Sequence, residues 1–272
     1  LNGIHSGEID GKDACLILLR DMALGNRPDL LDAMTLLVVP IYNVDGHERS
    51  SKWSRPNQDG PKDGMGFRTT AQGLDLNRDF LKADAPETRA LLSLVAAWDP
   101  DLFVDDHVTD GSDAQVTVTV SYGGEPATPE PLRSWLETVM RPALAEVEEK
   151  GWKTSPYVEW VDPLEPHKGI DPGPTEPRYG TCYMPLRSIP SVLVEMHALK
   201  PYGERVRANA AFLSALLSRV GRDPAPLRAA RAAAKTAAKG GRPGTPFVLA
   251  GETDLSRPET IDFPAYAWEQ VV

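Results

Sequence analysis

A histidine and a glutamate stand three residues apart near the start of the chain, in Gly3-Ile4-His5-Ser6-Gly7-Glu8. Two intervening residues suit a turn better than opposite faces of a strand, so both side chains can converge on one point. Imidazole nitrogen and carboxylate oxygen are both zinc donors. A catalytic zinc needs three protein ligands and an open position for water. The pair supplies two of the three, and alone it is a pattern that recurs by chance. His107 and Glu195 are the candidates to complete it. Each ends a short apolar run, Asp101-Leu102-Phe103-Val104-Asp105-Asp106-His107 and Ser191-Val192-Leu193-Val194-Glu195. A lone histidine at a strand end is usually a satisfied structural side chain. Beside a His-Glu pair it becomes a third ligand, and Glu195 becomes the carboxylate that takes a proton from bound water.

The elements that must position these residues read as an alternation of helices and strands. Residues 11–24 carry Ala14, Leu16, Leu18, Leu19, Met22 and Ala23 at roughly helical spacing, with Gly25 as a stop. Residues 36–42 form a continuous apolar run, expected as a strand buried on both faces. It closes on the turn-forming cluster Asn43-Val44-Asp45-Gly46. Residues 49–73 are polar, rich in Gly and Pro and without period. A loop of that length in a compact domain is more often functional than idle. Pro86 opens a helix that continues through Leu91, Leu92 and Val95. Further strands are expected over 101–107, 115–121 and 191–195, and helices over 129–150 and 202–220. Residues 153–188 hold seven prolines and no period. Residues 227–239 predict a surface helix with a solvated basic face. A linker follows at 240–244, and 246–250 looks strand-like.

This alternation predicts an α/β domain with a mostly parallel sheet. In such sheets ligands bind beyond the carboxyl ends of strands, where His5, His107 and Glu195 all fall. The expected organisation is a catalytic domain over 1–222, an Ala-rich helix and linker over 223–244, and an extension over 245–272 that could begin a small β-module.

Composition narrows the partners. The 272-residue chain has a net charge of −10, which argues against nucleic acid or an anionic membrane surface. It has no apolar run of membrane-spanning length. Its two cysteines, Cys15 and Cys182, do not make a disulfide framework, and Cys15 on an apolar helix face reads as a buried inert thiol. The chain opens at Leu1 rather than Met, so an upstream segment, with any signal peptide, is expected.

Taken in order, His5-x-x-Glu8, Asn43-x-Asp45-Gly46, Asp75-x-Asn77-Arg78, His107 and Glu195 resemble the zinc metallocarboxypeptidases, the carboxypeptidase A-like peptidases. The resemblance covers residues 1–220 and requires five short motifs in one order. The phrasing Gly-Ile-His-Ser-Gly-Glu and Asp-Leu-Asn-Arg-Asp-Phe looks like bacterial members, many of them exported to the periplasm or medium; a cytoplasmic location stays open.

The resemblance implies a mixed, mostly parallel sheet in an α/β/α sandwich. It also implies one Zn2+ held by His5, Glu8 and His107, with Glu195 as general base. Asn77 and Arg78 would hold the terminal carboxylate of a peptide or protein substrate, for which a guanidinium is suited by its two parallel hydrogen bonds. Asp75 would orient His5 through its ring N–H. An arginine would stabilise the oxyanion: Arg68 matches best, with Arg55 as competitor. A mobile tyrosine would close over substrate, and Tyr179 and Tyr183 both lie in the appropriate loop.

Three departures accompany this. The strands that normally precede the first motif are absent from the chain, so the sheet is expected to be incomplete at one edge. The segment before Glu195 differs from the digestive enzymes, and the tail beyond Leu227 lies outside the matched core. Competing functions are a peptidoglycan peptide amidase or endopeptidase and an N-acyl amino acid deacylase on the same scaffold. A catalytically dead binding module would have lost a ligand or base, and none is lost.

Overall fold

The structure, a computed structural model, describes residues 1–123, 128–240, 256, 258–267 and 269. The expected linker after Gly240 and the strand-like run 246–250 lie outside the described residues.

The three apolar runs singled out above become neighbouring strands. β1 (Phe103–Val108) and β6 (Ser191–Met196) pair in parallel, β2 (Val118–Tyr122) lies antiparallel to β6, and β3 (Thr154–Pro156) is parallel to β2. The strand order is β1-β6-β2-β3, a mixed and mostly parallel sheet. All six residues of β6 are buried, as a continuous apolar run between two layers requires. A separate two-stranded ribbon joins β4 (Glu159–Trp160) to β5 (Ile170–Asp171) within the long proline-rich segment.

Helices cover both faces. α1 (Asp10–Ala23), α4 (Glu130–Glu149), α6 (Tyr202–Arg222) and α7 (Ala225–Lys239) pack on one side, where Val192, Val194, Met196, Val118 and Val120 meet Leu18, Leu136, Phe212 and Leu227. On the other side α3 (Pro86–Trp98) and the segment around Phe80 form a smaller cluster with Ile4, Phe103, Met184 and Ile189. Two short helices, α2 (Val44–Glu48) and α5 (Gly180–Tyr183), sit beside the cleft.

Two expectations are corrected. Residues 36–42 do not form a doubly buried strand. The run is extended and hydrogen-bonds to the chain start, with Asn2 N donating to Val39 O (3.0 Å) and Tyr42 N to Asn2 O (2.9 Å). Yet most of its side chains are half-buried or exposed, because no further element covers its outer side among the described residues. The second correction concerns α7, whose basic side chains are not all solvated. Arg231 turns inward and pairs with Asp99 and Asp101 while its Nε donates to Ser188 O. Leu227, Ala230 and Ala234 join the main core. Cys15 is only half-buried, against Asn2, and Cys182 donates to Pro174 O. Among the described residues no helix is long and apolar enough to cross a membrane.

Candidate active site

Side chains alternate along a strand, and the register of two parallel strands decides which of them become neighbours. On β1, Val104 and Val108 face the main core while Asp105 and His107 face the other way. On β6, Val192, Val194 and Met196 face the core, leaving Leu193 and Glu195 on the same side as His107. The pairing sets His107 directly beside Glu195 and Asp105 beside Leu193. Two residues 88 positions apart are thereby brought to one spot at the strand ends.

His5 and Glu8 reach that spot from a tight turn. Glu8 N donates to His5 O (2.9 Å), and Gly3 before them adopts φ +64°, a left-handed conformation that glycine takes without strain. Donor atoms of His5, Glu8 and His107 all lie within 4.8 Å of one another. His5 Nδ1 is 3.0 Å from Glu8 Oε1, and His107 Nδ1 is 2.9 Å from Glu8 Oε2. The outer ring nitrogens face carboxylates: His5 Nε2 lies 3.3 Å from Asp75 Oδ1, and His107 Nε2 3.3 Å from Asp105 Oδ1. Carboxylates behind histidines fix the tautomer that leaves the inner nitrogen as a ligand. Two imidazoles and one carboxylate suit zinc, whereas the harder cations prefer all-oxygen sets. The residues present fit that ion.

The electrostatics follow from burial against neighbours. Burial alone would raise the Glu8 pKa, but His5, His107 and Arg55 together hold it well below the ordinary carboxylate range. Burial opposes a charge on His107, yet Asp105 and Glu8 raise its pKa well above the usual imidazole value. Burial likewise works against Asp75, and His5 and Arg68 outweigh it, keeping the group ionised. Glu195 behaves oppositely. Burial pushes its pKa up to about 8; His107 works against the rise, and the negative charges of Glu8, Asp110 and Asp105 add to it. The ionised form of Glu195 is favoured by any cation held beside it.

The opposite wall of the cleft carries Asn77, Arg78 and Tyr179. Asp75 Oδ1 accepts from Asn77 N (2.9 Å), which closes the turn that presents both side chains. The Arg78 guanidinium lies over the Tyr179 ring, 4.4 Å from its centre. The Asn77 Oδ1 atom is buried with no hydrogen-bond partner among the described residues. Arg68 also lines the cleft; it pairs with Asp75 Oδ2 at 3.0 and 2.9 Å, and its Nη1 is 3.4 Å from His5 Nδ1. Its loop is held by the Asn43-x-Asp45-Gly46 cluster. Asn43 Nδ2 donates to Arg68 O (3.0 Å), Phe67 N donates to Gly46 O (2.7 Å), and Asp45 accepts from Ala71 N. Tyr183 is elsewhere, packed on Phe80 in the smaller core.

Several cleft residues were not singled out from the sequence. Asp105 backs His107, and its signal was available, since it lies two residues earlier on a strand. Tyr157, Glu159 and Asp110 form the rim. Burial and the nearby Glu195 and Glu159 charges push the Tyr157 phenol pKa up, so it stays protonated. Nothing in the proline-rich segment marked it for this place.

The model of the zinc carboxypeptidase family matches residues 2–150, over half of the chain, and ends before Glu195. Carboxypeptidase 2 of Trichophyton rubrum is 31% identical over 107 residues, covering 39% of this chain and 17% of that protein. The chain thus aligns with less than a fifth of the length of this relative. Among solved structures, a metallo-carboxypeptidase from Burkholderia cenocepacia shares the fold with a TM-score of 0.58 at 20% identity, over 80% of this chain and 55% of that one. A metallo-carboxypeptidase from Pseudomonas aeruginosa in complex with (2-guanidinoethylmercapto)succinic acid gives 0.56 at 18% identity, over 83% and 56%. The matched stretch contains the His5-Glu8 turn, the Asp75-x-Asn77-Arg78 segment and His107, and the chain belongs to the zinc carboxypeptidase family.

Proposed function

We propose that the chain is a zinc-dependent hydrolase that removes residues from the C-termini of peptides. The observation that carries this reading is the convergence of His5, Glu8 and His107 within 4.8 Å beside a carboxylate, Glu195, held next to His107 by strand register. Zinc bound by the three side chains would acidify a water and polarise the scissile carbonyl. Glu195 accepts the proton of the attacking water on a carboxylate oxygen and returns it to the departing amine nitrogen. Arg68, at the cleft wall beside His5, donates to the developing oxyanion. Asn77 and Arg78 bind the free terminal carboxylate, which selects the last peptide bond, and Tyr179 walls that end of the cleft.

A mixed peptide library treated with zinc-loaded protein and read by mass spectrometry tests this. Successive loss of single C-terminal residues is expected, stopping on chelation. Glu195→Gln should fall by about 10²–10⁴-fold, the usual contribution of a positioned acid–base group. Internal cleavage, or equal release from C-terminally amidated peptides, would overturn the exopeptidase reading.

A further inference from the structure

Arg55 lies in the long polar loop and was the competitor of Arg68 for the oxyanion. Its side chain takes a different course. It is 6% exposed, its Nη2 donates to Glu8 Oε1 at 2.7 Å, and Asp110 Oδ1 is 3.6 Å away. Arg68, by contrast, is a third exposed and lines the cleft, which Arg55 does not. We propose that Arg55 is a positioning residue for the metal centre, fixing the Glu8 carboxylate from behind so that both its oxygens are presented to the two histidines. This rests on the reading of His5, Glu8 and His107 as zinc ligands.

The hydrogen bonds of Glu8 divide evenly. Oε1 accepts from Arg55 and faces His5 Nδ1, while Oε2 accepts from Val108 N (3.2 Å) and faces His107 Nδ1. Each oxygen therefore has one fixed donor behind it and one ligand nitrogen before it. An ion seated among the ligand atoms would take over the contacts with the histidines and leave the two donors behind Glu8 in place. A rigid backbone N–H on one oxygen and a single guanidinium N–H on the other set the carboxylate plane, while Arg55 Nη1 has no partner among the described residues.

The loop is built to deliver this side chain. Gln58 N donates to Arg55 O (3.2 Å), closing a turn, and Gln58 Nε2 donates to Val108 O (3.2 Å) and Thr109 O (3.0 Å). The turn is thereby pinned to the end of the strand that carries His107. Asp59 N donates to Ala198 O (3.0 Å), just beyond the strand that carries Glu195. The arginine stem needs the glycine of the first motif: a Cβ on Gly7 would come within 2.5 Å of Arg55 Cγ. A buried guanidinium is tolerated only where a carboxylate compensates it, so the pair is a unit: removing one partner leaves the other charge uncompensated.

The test is zinc affinity of the metal-free protein, titrated against a chelating dye at one pH, together with the visible spectrum of the Co2+-loaded form. Arg55→Met should weaken zinc binding about 10–100-fold, the usual effect of removing a group that orients a ligand, and alter the cobalt spectrum. Arg55→Lys should recover part of the affinity. Folding of each variant is followed by circular dichroism. Arg55→Met that is folded yet binds zinc within twofold of wild type, with an unchanged cobalt spectrum, overturns the proposal. Should Arg55→Met not fold, Gln58→Ala, which unpins the turn, decides: several-fold weaker zinc supports the role and wild-type affinity overturns it. A wild type that does not bind zinc, or a His5→Ala variant that binds as well as wild type, would sink the metal reading itself.

Discussion

The cleft has two unlike corners. In the metal corner the ligand groups are engaged by the protein itself: both Glu8 oxygens have fixed donors, and each histidine has a carboxylate 3.3 Å from its outer nitrogen, although His107 Nε2, Asp105 Oδ1 and Arg55 Nη1 complete no hydrogen bond among the described residues. In the Asn77-Arg78 corner hydrogen-bonding capacity is left over. Arg78 makes one backbone bond among the described residues, to Asn77 O, and stacks on Tyr179, which leaves its other N–H donors available; Asn77 Oδ1 has no partner among those residues but is an acceptor and offers nothing to a carboxylate. On the proposed reading, the difference separates a prearranged ligand set from a recognition surface. An ion is small and needs its ligands oriented in advance. A substrate carboxylate brings its own acceptors and is matched by donors kept available for it.

The largest effect expected from this contrast is on substrate capture. Arg78→Ala should lose charge-assisted hydrogen bonds of about 1.5–3 kcal/mol, so kcat/KM for peptides with a free C-terminus should drop roughly ten- to more than a hundredfold. Zinc affinity should not change; a parallel fall in zinc binding would show that the two corners are not separate. Next comes Asp105→Asn, which weakens the support behind His107. Chelator competition should give about 10–100-fold weaker zinc, while KM measured at saturating zinc stays within a few-fold. An unchanged zinc affinity would mean that Asp105 merely shares the strand face.

The smallest effect is a change of slope. Burial raises Glu195 to about 8, so the folded metal-free protein keeps a proton that the unfolded chain releases near the ordinary carboxylate value. The resulting stability is complete below that ordinary value and is lost as pH rises through 8. Urea midpoints of metal-free wild type should therefore decline from pH 5 to 9 relative to those of Glu195→Gln. Asp10 and Asp106, raised to about 6 and 7 mainly by burial, contribute equally to both proteins and cancel. Parallel midpoint curves would show that Glu195 is solvated as freely as a surface carboxylate.

The sequence by itself determined the longer helices and the central strands, because periodicity is a local property, but not the run 36–42, which lacks the layer that would bury it among the described residues. The runs over 101–107 and 191–195 became β1 and β6, Pro86 opens α3, and Gly25 follows the last residue of α1 by two positions. It also determined the residue types of the metal corner, since the turn between His5 and Glu8 needs only neighbouring residues. Tertiary structure decided what joins distant parts. Strand register put Glu195 beside His107 rather than one residue away, where it would have faced the core. Loop closure separated the two arginines, sending Arg55 inward to Glu8 and Arg68 to the cleft wall. It likewise separated Tyr179 in the cleft from Tyr183 in the core, although both stand at the ends of one short helix. The same holds for Arg205 and Arg231, charged residue types that are ordinarily exposed. They are buried because Asp10 on one side and Asp99 with Asp101 on the other are brought against them. Burial of a charge depends on a partner far along the chain, and only the folded arrangement supplies one.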